Sequence, residues 1–361
     1  MIATGDVGLL RLVALGLVGV PGGTDPATAV RGLLAAQAQD LPGAVTSVAL
    51  RSRPSDRAAV LSAMDAGTLV RSWPMRGTLH LVAAEDLPWL LPLAGPRMVA
   101  RSAARRRELG LDDRTVALAG EVALAALADG AALSRAELMA TWERSGVATT
   151  GQRGYHLLAH LAETGRVCLG PTTGTSTEQL VVASDGWLPE VPAVDRDEAL
   201  ARLARRYLGS HGPATVADLA RWASLPVTEV RRGVAAVRAE LEAVAVEGRD
   251  GVEHLLDPSV RDRLAACREE AEGVLLLPGF DEYLLGYADR DAVLAPAHAE
   301  RIVPGRNGVF RPTVVVGGQV VATWRHVPSR RGAPASVDVD GFDALPAGVA
   351  ERVREVHAAL P

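Results

Sequence analysis

The sequence predicts an α+β fold: three tandem winged helix-turn-helix units followed by a small C-terminal β domain. Three observations lead there. The first is a repeat. Residues 9–18, 27–37 and 57–66 precede 68–82; residues 114–128, 134–144 and 152–164 precede 166–182; residues 197–208, 215–223 and 227–240 precede 241–256. Within each set the first three stretches place apolar residues at helical spacing, and the fourth alternates β-formers around a turn. The second is a change of character over the last hundred residues. A helix near 260–272 is followed by an apolar run at 274–277, and residues 313–316 and 319–324 flank Gly317-Gly318, a strong two-residue hairpin signal, before a closing helix at 349–360. The third is size: 361 residues with 48% hydrophobic content can bury more than one core.

These elements divide the chain into a first unit at 1–82, an arginine-rich helical linker at 83–112, a second unit at 113–184, a third at 195–257 and a C-terminal β domain at 258–361. Three helices closed by a hairpin form the winged-helix unit, which sets its third helix on a nucleic-acid duplex. Three such units in tandem favour nucleic acid over other partners; a scaffold that binds only proteins is the alternative.

No apolar run is long enough to span a bilayer, and no charged-apolar-small leader opens the sequence. Residues 9–20 are too short for a span, are broken by Gly16 and Gly19, and read as a buried helix. Cys168 and Cys267 lie far apart, which fits a reducing cytoplasm and gives no zinc framework. A cytoplasmic monomer without metal or cofactor is expected. All 38 basic residues are arginine, so lysine-dependent chemistry, whether a phosphate-loop lysine, a Schiff base or a lysine general base, is excluded.

The net charge of −5 disfavours a uniformly DNA-binding surface, so distribution decides. Arg97, Arg101, Arg105, Arg106 and Arg107 cluster on one helix; Arg202, Arg205 and Arg206 form a second group, and Arg325, Arg330 and Arg331 a third. Glu240, Glu242, Glu247, Asp250, Glu253 and Asp257 crowd the third hairpin, which phosphate would repel. The third unit therefore reads as scaffold, and the functional face is expected on the first unit and the linker.

Gln37-Ala38-Gln39 ends the second predicted helix, shortly before Pro42. On a continuous helix residues i and i+2 diverge by roughly 200°, so the two amides converge only if the helix unwinds there. Glutamine is no general base, but its carbonyl orients water and its dipole stabilises a developing cation. Such a pair suffices when the leaving group is already good. In the first hairpin, Arg76, Thr78 and His80 are candidate phosphate contacts beside Gly77. His156 and His160 have zinc-compatible spacing but lack the intervening glutamate of a metalloprotease, so they read as packed or surface residues. Asp281 and Glu282 follow a Pro-Gly turn and suit a structural role better than acid–base work. Residues 304–308, with Arg306 and Asn307, read as a protruding hairpin tip between short strands at 302–303 and 309–310, able to probe a groove.

Gln37-Ala38-Gln39 within this architecture, together with segments 71–80, 277–284 and 307–312, resembles the AlkZ/YcaQ family of bacterial DNA glycosylases over nearly the whole chain. The resemblance implies a glycosylase acting on double-stranded DNA that carries N7-alkylated or crosslinked purines, including azinomycin-type interstrand crosslinks; the missing lysine makes a monofunctional enzyme the expectation. The resemblance assigns catalysis to Gln37 and Gln39; glutamine rather than aspartate at position 39 places the chain on the AlkZ side of the family. DNA contacts are expected from Arg76, Thr78, His80, Arg97, Arg101, Arg105, Arg306 and Asn307. A non-enzymatic winged-helix transcription regulator is the rival. It would need a basic recognition helix, whereas residues 57–66 carry Arg57 as their sole cation.

Overall fold

Side-chain caps fix where many helices begin. Asp25, Asp112 and Asp195 accept the backbone N–H three residues on, and Ser134 with Glu137 and Thr215 with Asp218 form reciprocal capping boxes. The computed structural model describes residues 1–174, 178–329 and 336–361. Helices Thr4–Ala14, Pro26–Leu33, Leu41–Leu50 and Arg57–Asp65 precede a hairpin of Leu69–Met75 and Thr78–Ala83. A long helix, Leu87–Glu108, leads to Asp113–Ala126, Arg135–Arg144 and Arg153–Glu163, followed by a hairpin of Val167–Thr172 and Gln179–Ala183. Arg196–His211, Val216–Ala223 and Val227–Ala236 precede the third hairpin, Glu242–Ala245 with Glu253–Leu256. The fold is α+β with antiparallel sheets.

Three features differ from the sequence expectation. The first unit has four helices before its hairpin, because residues 41–50 form a helix of their own that buries Leu41, Val45 and Val48. The second helix stops at Leu33, where Leu34 takes a left-handed φ of 73°, rather than running to Gln37. And the first two hairpins are not separate wings. Arg71 pairs with Leu169, joining them into one six-stranded sheet edged by Ala36–Gln37 on one side and Ala132–Leu133 on the other.

The C-terminal region builds a four-stranded sheet in the order Ser336–Gly341, Gln319–Val327, Thr313–Val316, Val274–Leu277, with Val349–Ala358 packed against it. Gly317 and Gly318 both have positive φ, 55° and 72°, as the predicted tight turn requires. That turn lies against Gly8 so closely that a side chain at either residue 8 or 318 would strike backbone. One continuous apolar core therefore runs from the first helix through the third unit to the C-terminal sheet, and the second unit has a core of its own around Trp142. No helix among the described residues is long and apolar enough to cross a membrane.

Candidate active site

The Gln-Ala-Gln segment lies where helix gives way to sheet. Ala36 and Gln37 pair with Leu81 and His80, and Ala38 N–H donates to the Leu79 carbonyl at 2.8 Å. The strand ends at Gln37 and Gln39 follows in a bend, so the two glutamines flank the point where the chain leaves the sheet. Gln37 is buried and its Oε1 accepts the Gln39 N–H at 3.2 Å; Gln39 is exposed and its Oε1 accepts the Leu79 N–H at 3.4 Å. Each carbonyl oxygen keeps a second lone pair for a water molecule. Arg71 braces the segment from the next strand but one: Nε donates to Ala38 O at 2.9 Å and Nη1 to Gln179 Oε1, on the second hairpin, at 3.1 Å. Burial pulls the Arg71 pKa down to about 10 against the opposing pull of Asp40, which leaves it a full cation at neutral pH. Asp40 itself, adjacent to Gln39, is exposed.

Behind Gln37 sits a buried polar cluster drawn from three parts of the chain. Glu282 Oε1 accepts the Gln37 N–H at 3.0 Å, and Oε2 accepts the Trp222 indole N–H at 2.9 Å. His211 Nε2 lies 3.7 Å from Oε2 and Arg76 Nη2 lies 3.8 Å from Oε1. Burial alone would raise the Glu282 pKa, but His211 and Arg76 more than offset it and hold it at about 2. Next door, Asp281 accepts both Arg51 guanidinium nitrogens, at 2.8 and 2.9 Å, and the Ser47 hydroxyl at 2.7 Å, all out of water. Asp281 also caps the short helix Glu282–Leu285, so both carboxylates are committed to holding structure.

Two side chains at the turn of the first hairpin, Arg76 and His80, point inward. His80 is fully buried, its Nδ1 2.9 Å from Thr78 O and its Nε2 2.7 Å from Arg76. This corrects the expectation that His80 meets phosphate: the pairing with Gln37 puts it beneath the sheet edge, and Arg76 is drawn in with it toward Glu282 and the Trp222 ring, 5.8 Å away. Thr78 remains partly exposed. Burial, with Arg76 adding to it, pulls the His80 pKa down to about 3 from an ordinary 6.5, so it is neutral in the fold and gains a proton on unfolding in mild acid. A histidine with a lowered folded pKa contributes stability above pH 6.5 that is lost as pH falls toward 3. The slope is at most about 1.4 kcal/mol per pH unit for this one proton. Urea midpoints measured from pH 7 to 4.5 are expected to fall less steeply for His80→Gln than for the wild type; parallel slopes would show that His80 is not the titrating group.

Of the basic clusters, Arg202, Arg205 and Arg206 are consumed in pairs with Glu198, Glu240 and Asp86. Part of the acid on the third hairpin is paired too, Glu242 with Arg261 and Glu253 with Arg238. Arg97, Arg101 and Arg105 are exposed at i, i+4 spacing on the long helix; Arg105 pairs with Glu108 and bonds Gln152, while Arg97 and Arg101 make no salt bridge among the described residues. Arg330 and Arg331 lie outside the described residues. The expected strands beside residues 304–308 are absent, because Ala299–Ile302 is helical and Pro304–Arg306 is a 3-10 turn closed by Arg311 N–H to Ile302 O. Asn307 is exposed and caps its own turn by accepting the Val309 N–H; the Arg306 side chain lies outside the described residues. His156 and His160 share one helix, and no group of three or more potential metal ligands converges among the described residues. Arg71 and Trp222 escaped sequence reasoning, since nothing local marks an arginine for an acceptor 108 residues away or a tryptophan for one 60 residues away.

Comparison with known proteins follows the same lines. A family model described as DNA glycosylase AlkZ-like matches residues 30–360. An interstrand DNA cross-link repair glycosylase from Streptomyces sahachiroi is 33% identical over 326 residues, covering 82% of this chain and 80% of the relative. Among solved structures, the Streptomyces sahachiroi DNA glycosylase AlkZ matches with a TM-score of 0.79 at 27% identity, covering 100% of this chain and 96% of that one.

Proposed function

We propose, because this chain belongs to the AlkZ-like family of DNA glycosylases, that it hydrolyses the N-glycosidic bond of N7-alkylated purines in duplex DNA and unhooks azinomycin-type interstrand crosslinks. Membership of the family sets aside the transcription-regulator reading. The observation that carries the substrate assignment is the linked pair Gln37 and Gln39: Gln37 ends an edge strand and accepts the Gln39 N–H with its side chain, in a segment braced by Arg71. An N7-alkylated purine is already cationic, and it leaves neutral when the C1′–N9 bond breaks and takes the bonding electrons. No strong acid is needed at the base. What remains is to stabilise the oxocarbenium-like sugar and to aim a water oxygen at C1′, whose proton passes to solvent. Amide dipoles fixed in advance suit that task. Crosslink unhooking is supported by the 33% identical relative, an interstrand DNA cross-link repair glycosylase.

In 1–82, 113–184 and 195–257 a run of helices, four in the first and three in each of the others, ends in a hairpin, which supports reading them as winged helices, joined by the 83–112 linker and followed by a β domain at 258–361. Duplex phosphates meet Arg97, Arg101 and Arg105, with Thr78 and Asn307 as polar contacts, and the protein acts as a monomer. The enzyme is monofunctional, since the only amine nucleophile in a lysine-free chain is the α-amino group. The test is a base-release assay on duplexes bearing N7-methylguanine or a defined crosslink, with borohydride present. Free base, an intact abasic strand and no trapped protein–DNA adduct are expected. Binding without release of base would sink the glycosylase assignment; an adduct surviving N-terminal blocking would sink only the monofunctional one.

A further inference from the structure

The strand that carries Gln37 is an edge strand, and an edge leaves backbone donors unpaired. Ala38 N–H points into the sheet, to Leu79 O. The neighbouring N–H, that of Gln37, therefore points off the open edge. Gln37 is only 7% exposed, so this donor needs a protein acceptor. Glu282 supplies it at 3.0 Å from a segment 245 residues further along the chain. The second carboxylate oxygen holds the Trp222 N–H at 2.9 Å, from the third unit. Two donors from distant segments thus meet on one side chain that is 1% exposed. Only a carboxylate offers an acceptor in both directions; an amide would have to turn its NH₂ toward one of the two N–H groups. The cost of keeping that charge in the interior is offset by Arg76 at 3.8 Å and His211 at 3.7 Å, and the Asp281–Arg51 pair fixes the adjoining residue.

We propose that Glu282 is a positioning residue for base excision: by holding the Gln37 main chain against the open edge of the sheet, it sets the direction of both catalytic amides. The proposal rests on the reading of Gln37 and Gln39 as the catalytic pair. Glu282 touches neither sugar nor base in it. Its effect is on the chemical step, and DNA affinity is left to the arginines.

Glu282→Gln preserves size but loses one acceptor. Single-turnover release of N7-methylguanine is expected to slow by about 10²-fold, the scale on which a small misplacement of a catalytic group acts, with duplex Kd within about twofold of wild type. Adding Trp222→Phe removes the competing donor and lets the amide oxygen face Gln37, so the double variant is expected to recover about tenfold or more over E282Q. A stability effect alone would not give that rescue. E282Q excising at the wild-type rate, or a double variant no faster than E282Q, overturns the proposal. Should E282Q fail to fold, the wild-type protein still decides: with glutamine-selective ¹⁵N labelling, the Gln37 amide proton is expected far downfield and protected from exchange, and rapid exchange would overturn the contact. A Gln37→Ala protein that excises normally would instead remove the catalytic reading on which this one rests.

Discussion

Replacing Gln39 by Ala is expected to slow release of N7-methylguanine from duplex DNA by about 10²-fold or more, with binding of the undamaged duplex unchanged. Gln39 is the exposed member of the pair, and its Oε1 accepts the Leu79 N–H at a long 3.4 Å, so truncation removes a dipole without opening the core. Gln37→Ala is expected to match it in rate but to cost some stability as well, since Gln37 is buried and its carbonyl holds the Gln39 N–H. Kinetics separate the two cases: an effect on the chemical step lowers the single-turnover maximum and leaves the half-saturating enzyme concentration in place. Both variants excising at the wild-type rate would remove the pair from the mechanism. The exposed Asp40, one residue on, would then be the next carboxylate to replace.

Helix periodicity and turn residues carry far in this chain because most of its elements are local. The helices of the second and third units begin and end within a few residues of the sequence reading, as Ser134, Asp195 and Thr215 cap them with their own side chains. Gly317-Gly318 announces its hairpin for an equally local reason. The reading fails where tertiary contacts decide. Residues 34–37 have helical spacing, yet Leu34 turns left-handed and Ala36–Gln37 become a strand, because the neighbouring hairpin offers a ladder and Glu282 takes the leftover donor. The glutamines were legible as a motif and illegible as a geometry. His80 and Arg76 looked like phosphate contacts on a wing, and what turns them inward is a carboxylate two hundred residues away. The paired state of Arg205 with Glu240 is another case: opposite charges in two sequence clusters cancel in space.

The buried pair beneath the site carries the largest expected effect on stability. Arg51 and Asp281 are 1% and 4% exposed, and the guanidinium is met by two carboxylate oxygens, the Ser47 carbonyl and hydroxyl, and the Leu15 carbonyl. Asp281→Ala removes the charge that compensates Arg51, and breaking a buried pair from one side costs about 3–5 kcal/mol. It also removes the acceptor for the Tyr283 N–H at 2.9 Å, a capping bond worth about 1 kcal/mol. Arg51→Met/Asp281→Leu takes out both charges in volumes close to the originals and is expected to recover much of the loss, because the two remaining groups no longer strand each other in the interior. A double-mutant cycle by urea denaturation measures this directly. A loss below about 1 kcal/mol for Asp281→Ala would mean that water reaches Arg51 and that the pair does not anchor the segment. That segment also presents Glu282 to Gln37, so a folded Asp281→Ala protein at low temperature should excise more slowly than its stability alone dictates. Slow excision restored in the apolar double variant would tie the anchoring of residues 281 and 282 to the placement of the Gln37 and Gln39 amides.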